Sequence, residues 1–222
     1  MRRKQRKLTA NELANQWQGR YINEVLQENK DKDKTTTTHP YLTISANAVA
    51  VLVSLMRDIT VRVLVTSRDM LQSRGKKLLS GRDIYYSSLI HLSELKTRKI
   101  QLMDAIRQVN VVSIEANKRQ RKFREMCRQT KWFARMRRDV SRNLANMVHY
   151  LLNLIIRLSL EQAKVDKKTR LTPNHIGRAL HHDDELNNLF RGVTIPQTNV
   201  RLGYNNQKIK AEHAGTPTEW MN

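Results

Sequence analysis

Cysteine is almost missing from this chain of 222 residues. Cys127 stands alone, which excludes an intramolecular disulfide and a cysteine-based zinc site and suits a reducing compartment. Glycine and proline are scarce, at seven and four. An all-β chain rich in tight turns needs more of both, whereas long helices need few. Aromatic residues make up only 5% and do not interleave with basic ones along any strand-like stretch. Single-strand and RNA readers stack bases on such π-surfaces, so that class is disfavoured. No apolar run approaches about 18 residues, the length that would indicate a membrane-spanning helix. Met1 to Leu8 is basic but leads into polar residues, so it reads as a short basic arm rather than a secretory signal.

Acidic residues are the remaining shortage: 20 against 41 Lys and Arg, for a formal net charge of +21. An excess of this size repels itself, and a polyanionic partner relieves the repulsion. Nucleic acid leads as that partner, with an anionic membrane surface second. The hydrophobic fraction, 39%, is enough for a folded core, so the charge does not imply disorder. The length allows one or two domains.

What is present is organised around two long apolar segments. Ser45 to Leu71 carries Val49, Leu52, Val53, Met56, Ile59, Val63 and Leu64, with few charges (Arg57, Asp58, Arg62). Val140 to Val165 repeats the idea with Leu144, Met147, Val148, Leu151, Leu152, Ile155, Ile156 and Leu158. Each predicts a helix of about 39 Å. A helix apolar on most sides must be covered on most sides, so each reads as a central rod.

A lysine pair and a capped short helix follow each rod. The first half reads Lys76-Lys77, then Ser80, Gly81, Arg82, Asp83 and Ile84; the second reads Lys167-Lys168-Thr169-Arg170, then Thr172, Pro173 and Ile176. Ser80 with Asp83 fits a capping box, and Thr172-Pro173 fits N-cap then N1. Glu94-Leu95 and Glu185-Leu186 close the two short helices. The offsets from 80 to 172, 84 to 176 and 94 to 185 are 92, 92 and 91, which indicates an internal duplication. Leading helices are expected over Asn11–Gln27 and Lys122–Phe133, with Asn29–Thr38 a loop and Val111–Lys122 a helical or extended linker. Each half is then short helix, long helix, short helix. Two such units bury their rods by crossing them, each large side chain contributing about 1.5–3 kcal/mol.

These residues carry a resemblance to the core histones. The first half resembles histone 2B through His39-Pro40, the rod, Lys76-Lys77, the Ser80 to Ile84 corner and Glu94-Leu95. The second resembles histone 2A through Lys167-Lys168-Thr169-Arg170, Pro173, Asp183-Asp184-Glu185, Leu186-Asn187 and Val193-Thr194-Ile195. The fused order is similar to the histone doublets of giant viruses of the marseillevirus type. The match is strongest from Asp166 to Ile195 and weakest between Val111 and Asp139. The resemblance implies an all-α chain of two histone folds, residues 1–110 and 111–222, paired as an intramolecular handshake. Against the family pattern, both tails are abbreviated. The acidic patch is also thinned: Glu94, Asp183, Asp184 and Glu185 remain, but His149, Leu154 and Arg157 stand where acids are expected.

The candidate DNA-binding residues are Lys167, Lys168, Thr169 and Arg170 in one loop and Lys76, Lys77 and Arg82 in its counterpart. Arg135, Arg137 and Arg138 join them from the segment Lys118 to Arg142, which holds eleven Lys and Arg but only Glu125 and Asp139 as acids. Cationic side chains beside a helix start can converge on a phosphate. By resemblance, Arg170 is an arginine that enters the minor groove without reading bases, as in the histone octamer. Gly192 to Tyr204, with Val193, Thr194, Ile195 and Val200, would be the docking strip for a partner resembling fused histones four and three.

His175, His181, His182, Asp183 and Asp184 lack the i, i+4 imidazole spacing of a helical metal site, and polar helix ends account for them better. Cys127 and His149 have no third residue to orient them, so no enzyme activity or cofactor is expected. The resemblance implies a structural chromatin protein. It would bind double-stranded DNA without sequence specificity and join a histone four/three-like partner and a second copy of itself in an octamer-like particle. It would package a viral genome in the virion, in a host nucleus or in a cytoplasmic viral factory, with no membrane partner. A sequence-specific histone-fold transcription factor is the alternative, and an RNA-binding ribosome-associated protein is a third.

Overall fold

The apolar run that opens after Ser45 folds as one helix of 28 residues, and the run before Val165 folds as another of the same length. In the computed structural model, residues 17–32, 43–108, 114–195, 198 and 202 are described. Over these residues the chain runs α1 (Trp17–Lys32), β1 (Thr43–Ile44), α2 (Ala46–Ser73), β2 (Leu78–Leu79), α3 (Gly81–His91) and α4 (Lys99–Arg107). It continues as α5 (Ile114–Gln129), β3 (Arg135–Met136), α6 (Arg138–Val165), β4 (Arg170–Leu171), α7 (Pro173–His182) and α8 (Asp184–Leu189). The protein is mostly helical.

Both rods are covered. Val49, Leu52, Val53, Met56, Ile59, Val63 and Leu64 of α2 are buried, as are Leu144, Met147, Val148, Leu151, Leu152, Ile155 and Ile156 of α6. Leu158 is half-buried. Where the rods cross, Leu52, Leu55, Met56 and Ile59 meet Val148, Leu151, Leu152 and Ile155, with Phe190 at the edge. The short helices cover the rods across the halves as well as within them: α3 packs on both α2 and α6, and α1 and α4 pack on α6. Tyr21 of α1 donates from its hydroxyl to His149 Nδ1 of α6, or accepts from it, at 3.0 Å. Burial pushes the Tyr21 phenol well above its ordinary pKa, with the Arg119 guanidinium acting against the shift.

The duplicated corners have matching backbones. At the end of α2, Gly75 N–H donates to Gln72 O at 3.1 Å and Lys76 N–H to Leu71 O at 3.0 Å. At the end of α6, Lys167 N–H donates to Lys164 O at 3.0 Å and Lys168 N–H to Ala163 O at 3.0 Å. Both are helix ends closed by a left-handed residue, Gly75 at φ 62° and Lys167 at φ 52°. The next helices start in capping boxes, with Ser80 and Asp83 in one and Thr172 and His175 in the other.

Several boundaries differ from the sequence reading. The helix expected over Lys122–Phe133 begins at Ile114 and stops at Gln129, because Lys131 takes a left-handed φ of 55° and turns the chain. The first helix continues past Gln27 to Lys32, through the start of the expected loop. Asn29 holds that last turn by donating from Nδ2 to Val25 O and to Asn153 Oδ1, both at 2.8 Å. Residues 11–16 and 33–38 of these two expectations lie outside the described residues, as do 111–113 of the linker. α3 ends at His91, short of Glu94-Leu95, and Glu185-Leu186 open the separate helix α8 rather than closing α7.

Candidate nucleic-acid interface

Two-residue strands join the halves. β1 pairs parallel with β4, placing Thr43 opposite Arg170 and Ile44 opposite Leu171. β2 pairs parallel with β3, placing Leu78 opposite Arg135 and Leu79 opposite Met136. Successive side chains of a strand point to opposite faces. Leu79 and Leu171 accordingly enter the core while Arg135 and Arg170 stand exposed. The pairing is extended by Arg137 N–H donating to Leu79 O at 3.0 Å and Ser45 N–H donating to Leu171 O at 2.9 Å. Each loop leaving one rod therefore lies beside the segment entering the other.

This register brings Lys76 and Lys77 together with Arg135, Arg137 and Arg138, all exposed, at one end of the rod pair. Lys167, Lys168, Thr169 and Arg170, also exposed, form the other end with Thr43, whose N–H donates to Thr169 O at 2.9 Å. Among the described residues, none of these eight cations has a carboxylate at ion-pair distance. Arg82 is exposed in the first turn of α3 and leans over the Tyr86 ring at 5.7 Å. The starts of α3 and α6 meet closely: Asn143 Nδ2 donates to Gly81 O at 3.0 Å. A Cβ on Gly81 would stand 2.8 Å from Asn143 Nδ2 and from Asp139 Cγ. Nothing local in the sequence signals this approach, since Asn143 lies 62 residues beyond Gly81.

The acidic residues divide. Glu94 and Asp184 are exposed, but Asp183 and Glu185 are engaged by Arg98 from the other half. Thr97 N–H also donates to Glu185 Oε1 at 2.6 Å. Burial opposes ionisation of Asp183, but the Arg98 hydrogen bonds and the Leu186 and Glu185 N–H groups outweigh it, and the carboxyl lies below its ordinary pKa. Sequence reasoning missed Arg98, whose partners are 85 and 87 residues away. Of the acid-replacing positions, Leu154 is buried, Arg157 is exposed, and His149 is bound by Tyr21, Arg119 and Asn153.

In the expected docking strip, Ile195 is buried in this chain's own core, Val193 is half-buried and Thr194 exposed; Val200 lies outside the described residues. Val193, Thr194 and Ile195 wall a groove with Asn47, Val51 and Asp58 of α2. Among the described residues no three metal-ligating side chains cluster, and no helix is long and apolar enough to cross a membrane. His175 is a capping residue, bonded to Thr172 and beside Asp166. Cys127 is buried, and burial pushes its thiol up to about 12. No protein-family model matches the chain.

Proposed function

We propose that the protein is a histone doublet, a 2B-like half followed by a 2A-like half, whose two histone folds pair in an intramolecular handshake. It binds duplex DNA through phosphates and minor-groove arginines, independently of sequence. The observation that carries this reading is the pair of basic clusters at the two ends of the crossed rods, which have no carboxylate at ion-pair distance among the described residues. α2 runs from one cluster to the other, about 42 Å at 1.5 Å per residue. A turn of B-DNA is about 34–36 Å. The clusters are thus spaced to hold a duplex at points roughly one turn apart, contacting backbone rather than base edges.

By resemblance, the partner is a histone four/three-like doublet, and two copies of each form an octamer-like particle that packages a viral genome in the virion or in viral chromatin. The role is structural, with no catalytic step. Among the described residues of the docking strip, Thr194 and the half-buried Val193 are placed to meet that partner. Reconstitution with a histone four/three-like doublet on unrelated duplexes, followed by nuclease footprinting, tests the whole reading. Long protected footprints of equal strength on every duplex are expected. Preference for one short sequence by several kcal/mol would make the protein a sequence-specific transcription factor instead, and protection of RNA alone would make it an RNA-binding protein.

A further inference from the structure

The two duplicated corners differ in the chemistry of their capping acceptor. At the first, the N–H of Ser80 donates to Asp83 Oδ2 at 2.9 Å, and Arg74 stands 3.4 Å from Asp83 Oδ1. At the second, the acceptor is an imidazole: Thr172 N–H donates to His175 Nδ1 at 3.0 Å, and Thr172 Oγ1 lies 3.2 Å from the same nitrogen. An N–H can be accepted only by a ring nitrogen with a free lone pair, so the proton of neutral His175 sits on Nε2. That nitrogen is 3.2 Å from Asp166 Oδ2. A second proton would have to enter at Nδ1, where it meets the Thr172 N–H head-on and abolishes half of the capping box.

We propose that His175 is a pH latch: the Lys167–Arg170 loop is held in order only while the imidazole is neutral, so acidification releases this end of the molecule and not the other. The latch bears on DNA because of the proposed function above, in which this loop is one of the two anchors. The geometry supplies the coupling. His175 is buried, and Thr172 follows directly on β4, whose Arg170 faces Thr43 of the other half. The charged groups around the imidazole are Asp166 at the end of α6, Lys168 in the loop and Arg178 one turn further along α7. Asp166 is itself gripped by Arg178. α2 faces the start of α7 with Asp58, across the groove shared with Pro173. α8 offers Asp184 and Glu185 beyond the far end of α7, Glu185 being bound to Arg98.

Burial disfavours the imidazolium, Asp166 favours it, and Arg178 and Lys168 oppose it again; burial prevails and the pKa is lowered. A group depressed in the folded state contributes stability that is present above its unfolded value, near 6.5 for histidine, and is lost as the pH falls through the folded value. The latch therefore opens on the acid side of neutrality.

The test uses the full chain and His175→Asn, which keeps a neutral acceptor at the cap but cannot titrate. Hydrogen exchange of the segment from Asp166 to Ile176 is followed from about pH 7.5 to pH 5, the histidine range. Wild-type protection should fall relative to the variant by roughly fivefold, the size of one lost cap. The segment from Lys76 to Ile84, with no imidazole in its cap, should stay the same in both proteins. An identical pH course in wild type and His175→Asn overturns the latch, as does an Nδ1–H tautomer of His175 by nitrogen NMR at neutral pH. Duplex affinity measured in parallel at fixed salt should fall only in the wild type. Loss of protection without loss of affinity would leave the latch standing and remove this loop as a DNA anchor.

Discussion

Arg98 donates to both carboxylate oxygens of Asp183, at 2.9 and 2.6 Å, and to Glu185 at 3.0 Å. The first half thus places its own guanidinium on two carboxylates of the second. All three side chains are less than a quarter exposed, so the bonds are poorly screened. Arg98→Ala should destabilise the protein by about 2–3 kcal/mol, the range for charge-assisted bonds with a carboxylate left behind. Because the Asp183 pKa is lowered, its contribution is present above the ordinary carboxylate value near 3.9 and disappears as the pH falls through the folded value. Urea midpoints of the wild type and the variant should therefore converge in acid, and a constant gap would contradict the assignment.

Gly81→Ala drives a methyl group into Asn143 and Asp139 where α3 and α6 begin. Overpacking of this kind costs about 1–3 kcal/mol. Thermal melting should register the loss. A variant as stable as the wild type would mean that the two helix starts do not pack this closely.

Lys167 occupies a left-handed position that glycine holds in the other half. Lys167→Gly should raise stability by about 0.5–1 kcal/mol while weakening duplex binding, because the strain and the charge belong to the same residue. Lys167→Ala, which removes the charge but keeps the strain, should weaken binding without the gain in stability.

Replacing Arg135 or Arg170 with Ala should lower duplex affinity about equally on unrelated sequences. The plot of log K against log salt should flatten by about 0.9 for each phosphate that is no longer neutralised. An unchanged slope for either variant would remove that arginine from the interface.

The Cys127 thiol, buried and pushed up to about 12, should resist alkylation in the native state at mildly alkaline pH and react at once in denaturant. Labelling followed by mass spectrometry reads this directly, and rapid native labelling would show that α5 opens from the core.

The rods, the lysine pairs and the capped corners are legible in the sequence because each rests on local chemistry: apolar periodicity, a left-handed helix end, a cap three residues from its partner. The boundaries of α1 and α5 are less legible. Asn29 keeps α1 helical through a bond to Asn153 in the other half, and Lys131 ends α5 in a left-handed turn that favours glycine or asparagine, so a lysine there gives no signal. Nor could the sequence reveal that Arg98 covers Asp183 and Glu185, or that Ile195 is buried in this chain's own core.

By itself the sequence determined where the two rods and the capped starts of the short helices after them lie, which loops are basic and that the pattern is written twice. Only the tertiary structure decided that the loop after one rod lies beside the entry to the other, gathering Lys76 and Lys77 with Arg135 and setting Arg170 opposite Thr43. The physical reason is that helix and cap signals act over three or four residues. Strand pairing between the halves acts across the whole chain and follows from how two rods bury each other.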